Sequence, residues 1–269
     1  MTSSRLDAAL AARGLARSRS HAARLIADGL VSIDGVVVSK PSLAVAETDL
    51  VEVQATDGYV SRAAAKLVYA LDAFGIDPAG VRALDVGAST GGFTEVLLRR
   101  DAGAVIALDV GHGQLVEPIR SDPRVSVVEG VNARELTPEL LASASGVDWA
   151  PDLVVGDLSF ISLTHVISPV RASVSKDAEF VLLVKPQFEV GRTLVKGGIV
   201  VDVVARAESI GRVLDVAEES GLHTVAVLSS PITGLHGNHE YLVHLSPKSG
   251  RHPSEWTDEI RRIAGAGES

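Results

Sequence analysis

The sequence predicts an α/β protein, an open and mainly parallel sheet with helices on both faces, preceded by a small α+β unit. Three observations carry that prediction. Seven strand-like runs alternate with stretches of helical spacing: RALDVGA, GAVIALDV, VSVVEG, DLVVGD, FVLLVK, TVAVLSS and EYLVHLS. Strands that alternate with helices build parallel sheets. The first run leads directly into a glycine-rich turn, GASTGG. Residues 3–53 read differently, as two short helices followed by small strands, with too little core to be an enzyme alone.

Within that first unit, RLDAALAARG has apolar or small residues at helical spacing and Gly14 as its stop. A second helix, in SRSHAARLIADGL, takes Ser18 or Ser20 as its cap and ends at Gly29. VSIDGVVV predicts two strands around an Asp34-Gly35 hairpin turn, and LVEV closes the unit. Residues 54–61 form a polar connector, and SRAAAKLVYALDAFG predicts an amphipathic helix before the sheet. The expected division is residues 1–57, then 58–247 with the connector at its start, then a tail, 248–269, holding one short helix in SEWTDEIRRIAG.

Composition narrows the function classes. The chain of 269 residues is 46% hydrophobic and 22% charged, enough apolar material for a real core. It has no cysteine, which removes disulfides, thiolate metal sites and cysteine nucleophiles and suits a reducing cytoplasm. The N-terminus lacks the apolar core of a secretory signal, and no apolar run reaches the length of a membrane span. The formal charge is −9, yet residues 1–24 carry Arg5, Arg13, Arg17, Arg19 and Arg24 against Asp7 alone. The basic character is concentrated at one end. The eight histidines show no metal-ligand spacing.

The turn in LDVGASTGGFTEVLL joins a strand to a helix start. Gly87, Gly91 and Gly92 let the backbone approach a ligand, and the helix N-terminus favours negative charge. The spacing is neither G-x-G-x-x-G nor a P-loop. About 20 residues on, the next strand ends at Asp109, suited to accepting hydrogen bonds from a ribose. Two further strands end in charges: DLVVGD in Asp157 and FVLLVK in Lys185. If these strands are neighbours, Asp157 and Lys185 form an ion pair at one sheet edge, either structural or catalytic. Lys66 precedes the first strand and Glu240 opens the last; spacing alone does not show that all four meet.

The N-terminal pattern R-L-D-x-x-L-x-x-R-G-L-x-x-S-R-x-x-A-x-x-L-I-x-x-G-x-V-x-I-D-G resembles the S4-type RNA-binding module. That resemblance implies RNA contacts by Arg5, Arg13, Arg17, Arg19 and Arg24. D-x-G-A-x-x-G-G-F resembles the S-adenosylmethionine motif of the class I methyltransferases, in the variant of the FtsJ-like ribose methyltransferases. It implies a Rossmann-like, mainly parallel seven-stranded sheet and a cofactor site of Asp85, Gly87, Ala88, Ser89, Gly91, Gly92 and Phe93. Asp109 would take the ribose hydroxyls and Asn132 the adenine, where many relatives carry Asp.

The order K…D…K…E resembles the catalytic tetrad of those enzymes and falls on Lys66, Asp157, Lys185 and Glu240. Joined to the N-terminal module, and with DLSFISL, VKPQFEVG and GNHEY, the whole is similar to the TlyA (hemolysin A-like) family of ribosomal RNA methyltransferases over residues 3–246. The resemblance implies S-adenosylmethionine as cofactor, no metal, methylation of a ribose 2′-hydroxyl, and ribosomal RNA or ribosomal subunits as partners. Lys185 would accept or steer the hydroxyl proton, beside Lys66, with Asp157 and Glu240 orienting the lysines. Competing readings are a membrane-lytic hemolysin, an RNA-binding protein with a silent methyltransferase fold, and a base methyltransferase. DLSF lacks the prolines that base enzymes commonly carry at that place. PQFEVGRTLVKGGIVVD is either a lid over substrate or a long connection.

Overall fold

The computed structural model describes residues 3–16, 18–27, 29–53, 58–234 and 237–265; the side chains of Arg24, Ala27 and Arg192 also lie outside the description. Arg17 and residues 54–57 of the connector fall outside it too. The chain divides into two compact units, residues 1–62 and 63–269.

In the first unit a short strand β1 (Ser3–Arg5) leads into helices α1 (Leu6–Ala12) and α2 (Arg19–Ala27). Gly14 and Gly29 follow the helices with φ of 72° and 66°, the left-handed turn that ends a helix. Ser18 caps α2, its Oγ accepting from the His21 amide at 3.1 Å. Strands β2 (Val31–Ile33), β3 (Val36–Val37), β4 (Ala44–Ala46) and β5 (Val51–Val53) complete the unit. The β2–β3 hairpin turns on Asp34 and Gly35 with φ of 50° and 80°, the two positive values a tight hairpin turn requires. β5 pairs with β2, and β1 pairs antiparallel with β4. Leu6 and Leu10 of α1 and Ala22 and Ile26 of α2 bury against Val31, Val45 and Val51.

The second unit opens with α3 (Ala63–Phe74) and runs β6 (Arg82–Val86), α4 (Gly92–Arg99), β7 (Ala104–Asp109), α5 (Glu117–Arg120) and β8 (Val125–Glu129). It continues with α6 (Pro138–Ser145), β9 (Leu153–Gly156), α7 (Ile167–Ala172), β10 (Glu179–Val184), α8 (Pro186–Glu189), α9 (Val203–Glu219), β11 (His223–Ser229), β12 (Tyr241–Ser246) and α10 (Thr257–Gly265). All seven expected strands form, in the sheet order β11-β12-β10-β9-β6-β7-β8. β8, β7, β6, β9 and β10 are parallel, whereas β12 is antiparallel to both of its neighbours.

Strand order reverses between β6 and β9, because the chain steps from β6 to β7 on one side and later to β9 on the other. The crevice beyond the carboxyl ends at such a reversal is where open α/β sheets hold ligands. Leu84, Ile106, Val154, Phe180 and Leu182 of the strands form the core together with Ile210, Val213 and Leu214 of α9. The helix expected after Pro247 is α10, and Trp256, Ile260 and Ile263 pack it into this same core. The long segment after Lys185 is tied down at its far end. Asn238 donates to the Gly198 carbonyl at 2.7 Å, and the buried Arg206 donates to the Val200 and Val201 carbonyls at 3.1 Å each.

Candidate active site

The sheet brings four separated charges to one edge. Asp157 and Lys185 follow the carboxyl ends of the parallel neighbours β9 and β10. β12 runs the other way, so its beginning lies at that edge: Val184 pairs with Tyr241, and Lys185 and Glu240 leave the sheet side by side. Lys66 reaches the same place from the buried face of α3, flanked by Ala64, Leu67 and Ala70.

Lys66 Nζ donates to Glu240 Oε2 at 2.6 Å and lies 3.6 Å from Asp157 Oδ2. Lys185 Nζ is 2.7 Å from Asp157 Oδ1, at ion-pair distance, and donates to Ser159 Oγ at 2.8 Å. Side-chain exposures of 5% for Lys66, 2% for Glu240, 14% for Asp157 and 10% for Lys185 put these charges largely out of water. Buried charges persist when paired, and two ammonium groups balance two carboxylates here. Burial pushes the Asp157 carboxyl up, but Lys185 and Lys66 outweigh it and bring it down to about 2. A carboxylate so firmly ionised is a poor proton store.

Two residues complete this cluster without having been singled out in the sequence. Ser159 is the hydrogen-bond partner of Lys185. Gly234 lies against Glu240: a Cβ there would fall on the Glu240 carboxylate.

The turn between β6 and α4 lies beside this cluster. Gly87 (φ 84°) and Gly91 (φ 100°) adopt backbone that side-chain-bearing residues avoid, and a Cβ on Gly91 would come within 2.6 Å of Ile119 Cδ1. Ser89 also has positive φ, 48°. The Gly87 and Ala88 amides donate to the Leu108 carbonyl at 2.8 and 3.1 Å, which fixes the turn against β7. Asp109 stitches the rim: Oδ2 accepts from the Ser89 amide at 2.8 Å and Oδ1 from the Gly111 amide at 2.7 Å. Ser89 Oγ in turn donates to Gln114 Oε1 at 3.2 Å, a contact with no sequence signal. Gly92 and Phe93 open α4 and are buried. Asn132 uses its Oδ1 to cap the 3-10 turn that follows, accepting from the Arg134 amide at 3.2 Å, so an adenine contact would share that oxygen.

Asp85, at the root of the turn, is fully buried. Its Oδ2 accepts from Thr94 Oγ1 at 2.6 Å, while Oδ1 has no hydrogen-bond partner among the described residues. Burial pushes this carboxyl up to about 7 against the pull of Thr94, with Asp157 and Asp109 adding repulsion. An unpartnered buried oxygen beneath a glycine-rich turn fits a ligand that brings a cation, and the amino acid end of S-adenosylmethionine has that chemistry.

In the first unit Asp7 collects two arginines. Arg5 donates to it through Nε and Nη2 at 3.1 and 3.0 Å, and Arg19 through Nη2 at 3.1 Å. Both guanidinium side chains stay exposed, at 53% and 61%. Arg13 is committed otherwise, donating at 2.8 Å each to the Asp49 and Ala46 carbonyls.

Comparison with known proteins shows the family. The FtsJ-like methyltransferase family model matches residues 59–246 and the S4 domain model residues 4–51. The chain is 52% identical, over 92% of its length and 91% of the relative's, to the 16S/23S rRNA (cytidine-2′-O)-methyltransferase TlyA of Mycobacterium tuberculosis. It is 41% identical to Hemolysin A of Brachyspira hyodysenteriae, over 89% of this chain and 98% of that one. A solved structure from Streptococcus thermophilus, named for a suspected hemolysin, superimposes with a TM-score of 0.75 at 32% identity, covering 98% of this chain and 95% of that one. No helix among the described residues is long and apolar enough to cross a membrane. The chain belongs to the FtsJ-like methyltransferases, in the S4-bearing TlyA (hemolysin A-like) family.

Proposed function

We propose that this protein transfers the methyl group of S-adenosylmethionine to a ribose 2′-oxygen of ribosomal RNA, in the cytoplasm, with the N-terminal unit docking the RNA. The observation that carries the reading is the convergence of Lys66, Asp157, Lys185 and Glu240 at the sheet edge beside the Gly87–Gly91 turn. Backbone at Gly87, Ala88 and Ser89 would hold the methionine end of the cofactor, Asp85 its ammonium, and Asp109 its ribose. The bound cofactor supplies a methyl group already activated by a sulfonium, so the chain's own residues have to orient the acceptor and manage its proton.

A ribose hydroxyl is a weak nucleophile until its proton is drawn off. Lys185 is the residue that accepts or steers that proton. Asp157 stays ionised and aims it, Ser159 fixes its direction, and Lys66, held by Glu240, sets a positive charge close by. Alignment of acceptor and methyl group can supply about 7–11 kcal/mol of a barrier.

Phe160 adds a surface for the acceptor. It is 91% exposed, has φ of 66°, and its ring lies 5.2 Å from that of Phe188, which follows Lys185 by three residues. A bulky residue held at positive φ is strained, and such strain concentrates at functional sites. An exposed aromatic face is what an unstacked base needs. In the first unit, Arg5 and Arg19 provide adjacent guanidinium groups for phosphate, the contacts that position a protein on nucleic acid.

Transfer of labelled methyl from S-adenosylmethionine to unmodified ribosomal subunits tests the reading. The wild type labels RNA, and Lys185→Ala lowers the rate by about 10²–10⁴-fold with cofactor affinity retained. Unreduced transfer by that variant, or liposome leakage without RNA labelling, contradicts it.

A further inference from the structure

Two segments carry half of the charged cluster, one after β9 with Asp157, Ser159 and Phe160, the other after β10 with Lys185 and Phe188. Lys185 bridges them through Asp157 and Ser159, the Phe160 and Phe188 rings meet across them, and a further side chain spans them away from the charges. Glu189, the last residue of α8, reaches back across the gap: its Oε1 accepts from the Leu163 amide at 2.8 Å, and its Oε2 accepts from Ser162 Oγ. Ser162 also meets Thr164 Oγ1 at 2.6 Å and caps the 3-10 turn Leu163–His165 through the Thr164 amide, so the carboxylate grips the point where the first loop re-enters regular structure. Its own main chain is anchored, since Arg212 of α9 donates to the Glu189 carbonyl at 3.1 Å.

The loop from Asp157 to Ser162 is thereby held at both ends: by β9 on one side and by Glu189 on the other. Between those anchors lie the strained, exposed Phe160 and the serine that hydrogen-bonds Lys185. The Glu189 carboxylate touches none of the four charged residues, and a tether of the two loops is the work its contacts can do.

We propose that Glu189 is a positioning residue for methyl transfer: its carboxylate sets the Asp157–Ser162 loop against the α8 turn, and so fixes Ser159 on Lys185 and the Phe160 ring beside Phe188. This rests on the methyl-transfer function proposed above. A shift of about 1 Å in such groups can cost about 100-fold in rate. Glutamine at this position can keep the grip, its carbonyl accepting from Leu163 and its amide donating to Ser162; alanine cannot.

The test compares wild type, Glu189→Ala and Glu189→Gln by amide hydrogen exchange over residues 158–165, by cofactor affinity, and by the kcat and KM of methyl transfer to ribosomal subunits. Exchange reads the tether whether or not methyl is transferred. The proposal expects faster exchange in that segment for Glu189→Ala, a kcat lowered about 10–100-fold, cofactor affinity within about twofold of wild type, and recovery of most of both losses in Glu189→Gln. Unchanged exchange and kcat in Glu189→Ala overturn the tether. A Glu189→Gln protein as slow as Glu189→Ala, or a fall in cofactor affinity equal to the fall in kcat, overturns the positioning role. Wild-type protection over 158–165 with no transfer to any subunit overturns the underlying function, and the positioning role with it, while leaving the tether as architecture.

Discussion

Lys66 and Glu240 meet at 2.6 Å across 174 residues of chain, with almost no water on either side chain. Removing one partner of a buried ion pair strands the other, typically at a cost of about 3–5 kcal/mol, whereas replacing both with apolar side chains is often near neutral. Glu240→Ala is therefore expected to lower the unfolding free energy by about that amount, and a Lys66→Met/Glu240→Met double variant to recover much of it while losing methyl transfer. Denaturant melts of the two variants decide this. A double variant as unstable as the single one contradicts the pairing. Gly234→Ala acts on the same contact from outside, because its methyl group would press on the Glu240 carboxylate; it is expected to slow transfer with RNA affinity unchanged.

Asp85 and Asp157 give the cofactor-free protein opposite dependences on pH. The Asp85 carboxyl is raised from 3.8 to about 7 by burial, so the folded protein holds its proton where the unfolded chain has lost it. Its contribution to stability is full below about 3.8 and declines as pH rises through about 7. Asp157 is depressed to about 2 in the net, so its contribution is full above 3.8 and is lost as pH falls towards 2. Thermal melts of wild type and Asp85→Asn from pH 4 to 8 separate the two. The substitution is expected to flatten the decline between about pH 4 and 7, and identical pH profiles would mean that Asp85 titrates as an ordinary carboxyl.

The arginines of the first unit divide into two roles. Arg5 and Arg19 are gathered by Asp7 and remain open to solvent, whereas Arg13 holds the carbonyls of the β4–β5 turn. Arg5→Ala and Arg19→Ala are expected each to reduce the slope of log affinity against log salt by about 1 for ribosomal RNA. Arg13→Ala is expected to lower the melting temperature and leave the slope unchanged. Salt titrations of RNA binding check both statements, and an unaltered slope in Arg19→Ala contradicts the phosphate role.

Much of this was legible in the sequence because it rests on local chemistry. Strand-like runs alternating with helical spacing marked all seven strands of the large sheet, and Gly14, Gly29 and the Asp34-Gly35 pair announced their turns by the backbone they require. Other features needed the third dimension. β1 and β4 are three-residue strands whose reason to exist is each other, so no periodicity marks them. The reversed direction of β12, which brings Glu240 to the edge where Asp157 and Lys185 stand, leaves no trace in an apolar run. Nothing in the helix spacing marks Lys66 as buried; the family resemblance singles it out, and α3 buries it.

The side chains that hold the site together were hardest to find. Glu189, Gln114 and Gly234 act on residues far away in the chain, and nothing beside them in sequence betrays a partner. Ser159 carried the one usable hint, a hydroxyl two positions beyond a strand-ending aspartate. Arg13 shows the reverse: a basic residue in a basic segment whose guanidinium is already occupied by the fold.

The most direct test of the central claim, that this cluster acts on a ribose oxygen, is to methylate separated, unmodified ribosomal subunits with labelled S-adenosylmethionine and hydrolyse the RNA in alkali. Alkaline cleavage uses the 2′-oxygen as its nucleophile, and a methyl group there blocks it. The account predicts label retained in an alkali-resistant dinucleotide, appearing about 10²–10⁴-fold more slowly after Lys185→Ala. Label released in single nucleotides would place the methyl group on a base and contradict the role assigned to Lys66, Asp157, Lys185 and Glu240.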